Sequence, residues 1–175
     1  CWVSIIIYTY IPESQFSKQA QAIQFSLIPK LNSYYSSIED NNITLKNVNA
    51  NFDPFMTGIE VGSSAAIDVL RNKITILGDT LDAFGDYDYG IHLIDSDDIL
   101  VLQDTVNSTT TNYTAGIGGT ATTNSSYCCN VVSGRGENFR FDGSCNFTSL
   151  NLNEIGQPNV VGDYGLVCAN GTVIS

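Results

Sequence analysis

Residues 67–84 read IDVLRNKITILGDTLDAF, and the choice between helix and strand for this run decides the fold. Its apolar residues Ile67, Leu70, Ile74, Leu77, Leu81 and Phe84 step by 3, 4, 3, 4 and 3, the spacing of one helical face. Gly62-Ser63-Ser64 precedes the run with a serine suited to an N-cap, and Gly85 follows as a stop. Upstream, after Pro12, a second stripe of Phe16, Ala20, Ile23, Leu27, Leu31, Tyr34 and Ile38 steps by 4, 3, 4, 4, 3 and 4, with Pro29 as a kink. The two stripes predict amphipathic helices packed through their apolar faces, with Leu77 in the core and Asn72 on the exposed side.

Outward from these stripes the texture changes. Ile43, Leu45 and Val48 alternate enough for a short strand and loop between the helices. Ile91 to Ile94 and Ile99 to Leu102 are short apolar runs parted by Asp95-Ser96-Asp97-Asp98, which predicts two buried strands joined by a turn. Residues 105–127 are rich in Thr, Ser, Asn and Gly and promise little core, with Gly116, Gly118 and Gly119 as a turn. No internal repeat aligns at a fixed period. The expectation is therefore an α+β fold: two amphipathic helices in the N-terminal half and a β-rich, disulfide-tied C-terminal half. An apolar segment, 1–12, precedes a single domain, 13–175.

The chain has 175 residues with 7 Lys plus Arg against 18 Asp plus Glu, a net charge of -11. A surface of that sign repels a phosphate backbone, so nucleic-acid binding is excluded. Charged residues are 14% of the chain, against about 25% in ordinary soluble domains, so the exterior is unusually neutral. Asn-x-Ser/Thr acceptor sites for glycans stand at Asn42, Asn107, Asn112, Asn124, Asn146 and Asn170, about twice the number that composition alone would place. They point to an extracellular or cell-surface glycoprotein. Cys128, Cys129, Cys145 and Cys168 point the same way, as two disulfides. Their spacing does not suit the paired C-x2-C pattern of a zinc site. Neighbouring cysteines bond each other poorly, so Cys128 and Cys129 are expected to reach separately to Cys145 and Cys168. Cys1 is left over, as an anchor position, an intermolecular thiol or an accident of processing.

Residues 2–11 (WVSIIIYTYI) are uncharged and β-prone. They are half the length that spans a bilayer as a helix. Either they are the end of a membrane helix continued before Cys1, or they are a strand. As a strand, Trp2, Val3, Ile5 and Ile7 would bury themselves in a neighbouring copy and build a homo-oligomer or polymer.

Chemistry-bearing constellations are few. Asp86, Asp88, Asp95, Asp97 and Asp98 could supply oxygens to calcium, although the full twelve-residue calcium loop is absent. The plainer reading is two solvated turns capped by aspartates. No other cofactor is implied. His92 is the one histidine and sits in an apolar run, with no G-x-S-x-G elbow in the chain to give it a nucleophile. A paired-carboxylate hydrolase needs only two acids at the right separation, which sequence does not measure.

Cys128-Cys129-Asn130, Ser144-Cys145 and Cys168, placed after two helical stripes and a membrane-like segment, resemble the large extracellular loop of tetraspanins. Asn130 stands where those loops carry Gly, and Asp142-Gly143 where they carry Pro. The resemblance implies a partner-binding ectodomain with no catalytic residue. The leading expectation remains a non-enzymatic structural or adhesive surface protein, with the membrane ectodomain second and the paired-carboxylate hydrolase third.

Overall fold

The computed structural model describes residues 19–26, 36–46, 55–77, 88–109, 114–134, 136–146, 149–156 and 164–169. Every regular element among them is a β-strand, and every strand pairing is parallel. After β1 (Gln19–Ser26) the chain winds through five coils of three strands. The first is β2 (Ser36–Glu39), β3 (Asn42–Lys46) and β4 (Phe55–Gly62); the second is β5 (Ile67–Leu70), β6 (Lys73–Leu77) and β7 (Asp88–Ile94). The third is β8 (Leu100–Leu102), β9 (Thr105–Ser108) and β10 (Thr114–Thr120). Next come β11 (Ser126–Cys128), β12 (Val131–Gly134) and β13 (Glu137–Asp142), then β14 (Ser149–Asn151), β15 (Glu154–Ile155) and β16 (Tyr164–Cys168). Corresponding strands stack into sheet 1 (β1-β4-β7-β10-β13-β16), sheet 2 (β14-β11-β8-β5-β2) and sheet 3 (β15-β12-β9-β6-β3). This is a parallel β-helix, a solenoid in which each coil contacts its neighbours.

The α+β expectation is thereby overturned, and the run at 67–84 shows why. Ile67 and Val69 point inward from β5, and Ile74 and Ile76 point inward from β6, with the Arg71-Asn72 turn between. Two strands of period two, joined by a two-residue corner, imitate a 3-4 spacing when one inward and one outward residue are taken from each. Leu70 and Leu77 are the outward ones. The upstream stripe fails likewise, since Ala20 and Ile23 lie in β1 and Ile38 in β2; Phe16, Leu27, Leu31 and Tyr34 lie outside the described residues. β-branched side chains on both faces suit strands better than helices. The glycines read as a turn lie within β10, which is buried along nearly its whole length. The short strand at Ile43 and Leu45 and the runs at 91–94 and 99–102 do coincide with strands.

Asn72, expected on the surface, is buried in a polar ladder at the corner between sheets 2 and 3. Each coil makes this corner with two residues, Asp40-Asn41, Arg71-Asn72, Gln103-Asp104, Cys129-Asn130 and Leu152-Asn153. The first of each pair has a positive φ, between 51° and 58°, a conformation costing about 1–2 kcal/mol for a residue with a Cβ. The second turns its side chain inward and offsets that cost. Asn72 Oδ1 accepts from the backbone N and Nδ2 of Asn41 at 3.1 and 2.9 Å, and Asn153 Oδ1 accepts from the same two groups of Asn130, both at 3.0 Å. Each amide also donates to a carbonyl one coil back: Asn72 to Ile38, Asn130 to Val101 and Asn153 to Tyr127.

Asp104 stands in the third rung. Its Oδ1 accepts from the backbone N and Nδ2 of Asn72 at 2.6 and 2.9 Å. Its Oδ2 takes the place of an amide nitrogen and has no hydrogen-bond partner. Burial pushes this carboxyl up to about 7 against the partial opposition of the Asn72 hydrogen bonds.

Ladder neighbours are 31, 32, 26 and 23 residues apart along the chain. The variation arises in the connections from sheet 3 to sheet 1, which run over 47–54, 78–87, 109–113, 135–136 and 156–163. The repeat is real in space and irregular in sequence, so no fixed period exists to be found.

Candidate functional site

Two places carry features that the stacking of coils does not require. The first is the outer face of sheet 1. Along β4, β7, β10 and β13 the side chains of Ile59 and Val61, Ile91 and Leu93, Ile117, Phe139 and Phe141 fill the interior. Strand alternation therefore turns Glu60, His92, Gly118 and Arg140 outward in one row. His92 Nε2 lies 3.1 Å from Thr120 Oγ1, and its ring stacks on Tyr89 with centroids 3.8 Å apart and planes 3° apart. Gly118 makes room for that stack, since a Cβ there would collide with Tyr89 Cε1. Arg140 grips both Glu137, with Nη1 to Oε2 at 2.9 Å, and Asp142, with Nη2 to Oδ2 at 2.6 Å.

These groups are poorly suited to proton transfer. Burial pulls His92 down to about 4, so the imidazole is neutral at neutral pH and a weak base, far from the value near 7 that serves general catalysis. Its Nδ1 has no hydrogen-bond partner. Glu137 and Asp142 are held by one guanidinium rather than set apart as acid and base. Tyr89, His92, Glu60 and Glu137 are all buried, although they face away from the core.

The second place is the last coil. Among the described residues each of β14, β15 and β16 pairs with a strand on one side only, β11, β12 and β13 respectively. Inward positions that are sealed elsewhere open here: Ile155 is 42% and Leu166 44% exposed, while their counterparts in the first coil, Ile43 and Ile59, are 1% and 0% exposed. Leu152 and Tyr164 are exposed beside them.

The sequence-derived candidates fall as follows. Asn42, Asn107 and Asn124 are exposed and Asn146 half-buried, while Asn112 and Asn170 lie outside the described residues. Asn124 Nδ2 is engaged by Asp97 Oδ1 at 2.7 Å. Asp88, at the start of β7, accepts from the Met56 amide. Asp95, Asp97 and Asp98 lie beyond the opposite end of that strand, in the corner between sheets 1 and 2, so the two aspartate groups are not brought together. Asp86 lies outside the described residues, among which no cluster of three potential metal ligands occurs.

Cys128, Cys129, Cys145 and Cys168 are free thiols, and the disulfide-tied C-terminal half is overturned with the helices. Cys128 and Cys129 lie on the outside, at the end of sheet 2 and its corner, whereas Cys145 is buried against Gly119 and Asp142 carbonyls. Cohesion comes from the ladder instead. Cys1 and the assembly residues Trp2, Val3, Ile5 and Ile7 lie outside the described residues, as does the membrane-like segment they belong to. Among the described residues no helix is long and apolar enough to cross a membrane, and the paired helices behind the tetraspanin resemblance are absent. The buried outer face of sheet 1 was missed because Glu60 and Arg140 are 80 residues apart in the chain, and only coil stacking aligns them. No family model, no curated protein and no solved structure matches this chain.

Proposed function

We propose that this chain is an extracellular structural or adhesive module that assembles end to end, the open last coil of one copy receiving the apolar residues 2–11 of another as an added strand. The observation that carries the reading is the exposure of Leu152, Ile155, Tyr164 and Leu166 on a coil whose strands, among the described residues, pair on one side only. Unpaired N–H and C=O groups beside apolar side chains are a template for strand addition. Residues 2–11 hold no charge and are rich in Ile and Tyr, the composition such an edge accepts. A head-to-tail contact of this kind does not close on itself and extends into a filament. The exposed acceptor asparagines on the flanks of the solenoid suit a glycan-coated exterior.

Sedimentation velocity over a wide concentration range tests the proposal. Intact protein should grow in size with concentration, while Leu166→Asp and a variant lacking residues 1–11 should stay monomeric with unchanged far-ultraviolet dichroism. Intact protein that remains a monomer throughout would overturn the reading, as would assembly of the truncated variant to the same extent.

A further inference from the structure

The corner between sheets 2 and 3 exposes two side chains in sequence at every coil. In the first three and the last these pairs are Glu39-Asp40, Leu70-Arg71, Leu102-Gln103 and Asn151-Leu152; in the fourth they are Cys128-Cys129. The two sulfurs lie 2.8 Å apart, closer than unbonded atoms normally rest in a protein interior. Neighbouring cysteines in a relaxed chain bond each other poorly, yet this corner brings them together.

Three features hold them there. Cys129 has a φ of +58°. Backbone hydrogen bonds pin the pair on both sides, from Gln103 N to Cys128 O at 3.1 Å and from Cys129 N to Asn151 O at 3.0 Å. The next residue, Asn130, is locked into the buried ladder. Both thiols are half-exposed and so within reach of a reagent.

We propose that Cys128 and Cys129 form a reversible vicinal thiol–disulfide pair, a redox-sensitive site on the flank of the solenoid. The oxidant is a small dialkyl disulfide of the glutathione type. One cysteine, as its thiolate, attacks a sulfur of the oxidant, forms a mixed disulfide and releases one small thiol. The other cysteine then attacks the protein sulfur of that mixed disulfide, forms the intramolecular bond and releases the second small thiol. Two protein thiols are oxidised and one small disulfide is reduced to two thiols. Consecutive Cα atoms stand about 3.8 Å apart, shorter than the usual span of a disulfide, so the ring is strained and readily reopened by an excess of thiol. Cys128 is pushed up chiefly by its hydrogen bond to the Cys129 sulfur, with burial and the charge on Cys129 adding to it, which favours exchange at mildly alkaline pH.

The chain's own cleavage sites make the test clean. Trypsin cutting after Lys73, Arg135 and Arg140 leaves Cys128 and Cys129 alone on 74–135, and Cys145 with Cys168 on 141–175. After incubation with glutathione disulfide, alkylation and digestion, 74–135 should be lighter than the reduced peptide by two hydrogens, uncrosslinked, and restored by glutathione. Cys129→Ser and Cys128→Ser, whose outward side chains leave the fold intact by dichroism, should each retain a glutathione adduct on the remaining sulfur. A crosslink between 74–135 and 141–175 would overturn the proposal, as would wild-type protein that keeps the adduct or two alkylatable thiols.

Discussion

The two ends of the solenoid are built from the same three-strand coil and are finished differently. In the first coil the inward residues Ile38, Ile43 and Leu45 are sealed, and the outward ones carry charge, with Arg71 of the next coil bridging Glu39 and Asp40 at 2.7 and 2.8 Å. In the last coil the inward residues Ile155 and Leu166 are open, and Glu154 is the lone charged side chain among the described residues. Charge on an edge strand discourages pairing and apolar exposure invites it. The two ends of the solenoid therefore differ, one carrying charge on its outward residues and the other leaving inward apolar residues open.

The largest expected effect contrasts one row of core positions. Phe139 and Leu166 are register partners in sheet 1. Phe139→Ala empties a sealed position and should cost about 3–5 kcal/mol in denaturant unfolding, whereas Leu166→Ala should cost about 1 kcal/mol, because nearly half of its surface stays in water on folding. Equal losses would mean that the last coil is sealed in solution.

The ladder gives the next contrast. Asn130→Ala removes contacts to Asp104, Asn153 and Val101 and strands buried partners, at a cost of about 3–4 kcal/mol. Asn153→Ala, one coil nearer the open end, should cost about half as much, and thermal melts of the two variants measure the gradient.

Asp104→Asn should stabilise the protein, and by an amount set by pH. The folded carboxyl lies near 7 and the unfolded one near 3.8, so the native state binds the extra proton between these values and stability falls as pH rises through that window. Below about pH 4 the variant gains little; above about pH 7 it should gain roughly 4 kcal/mol. By the ladder's register the group at Oδ2 meets the Val69 carbonyl and Asn130 Oδ1, two acceptors that an amide can satisfy and a carboxylate cannot. A flat difference between wild type and variant across pH would place the proton elsewhere.

The smallest effect tests the outer face of sheet 1. Gly118→Ala drives a Cβ into Tyr89 and must displace its stack on His92, costing about 1–3 kcal/mol as overpacking. The His92 ring resonances in a nuclear magnetic resonance titration should shift. An unchanged ring environment would dissolve the Tyr89–His92 unit.

Composition by itself determined that this chain is acidic and sparsely charged, because those properties are sums over residues and need no geometry. The runs at 43–45, 91–94 and 99–102 disclosed strands, since local alternation and β-branched content speak for single segments. Tertiary structure alone decided the rest. Whether Ile67 to Leu77 is one helix or two strands depends on a corner at Arg71-Asn72 that only the ladder stabilises, and that ladder is assembled from residues 23 to 32 positions apart. Asn72 and Asp104 look like surface residues until the coils on either side supply their partners. A solenoid's core is shared between neighbours, so no one coil's sequence carries enough of the buried surface or hydrogen bonding to declare it.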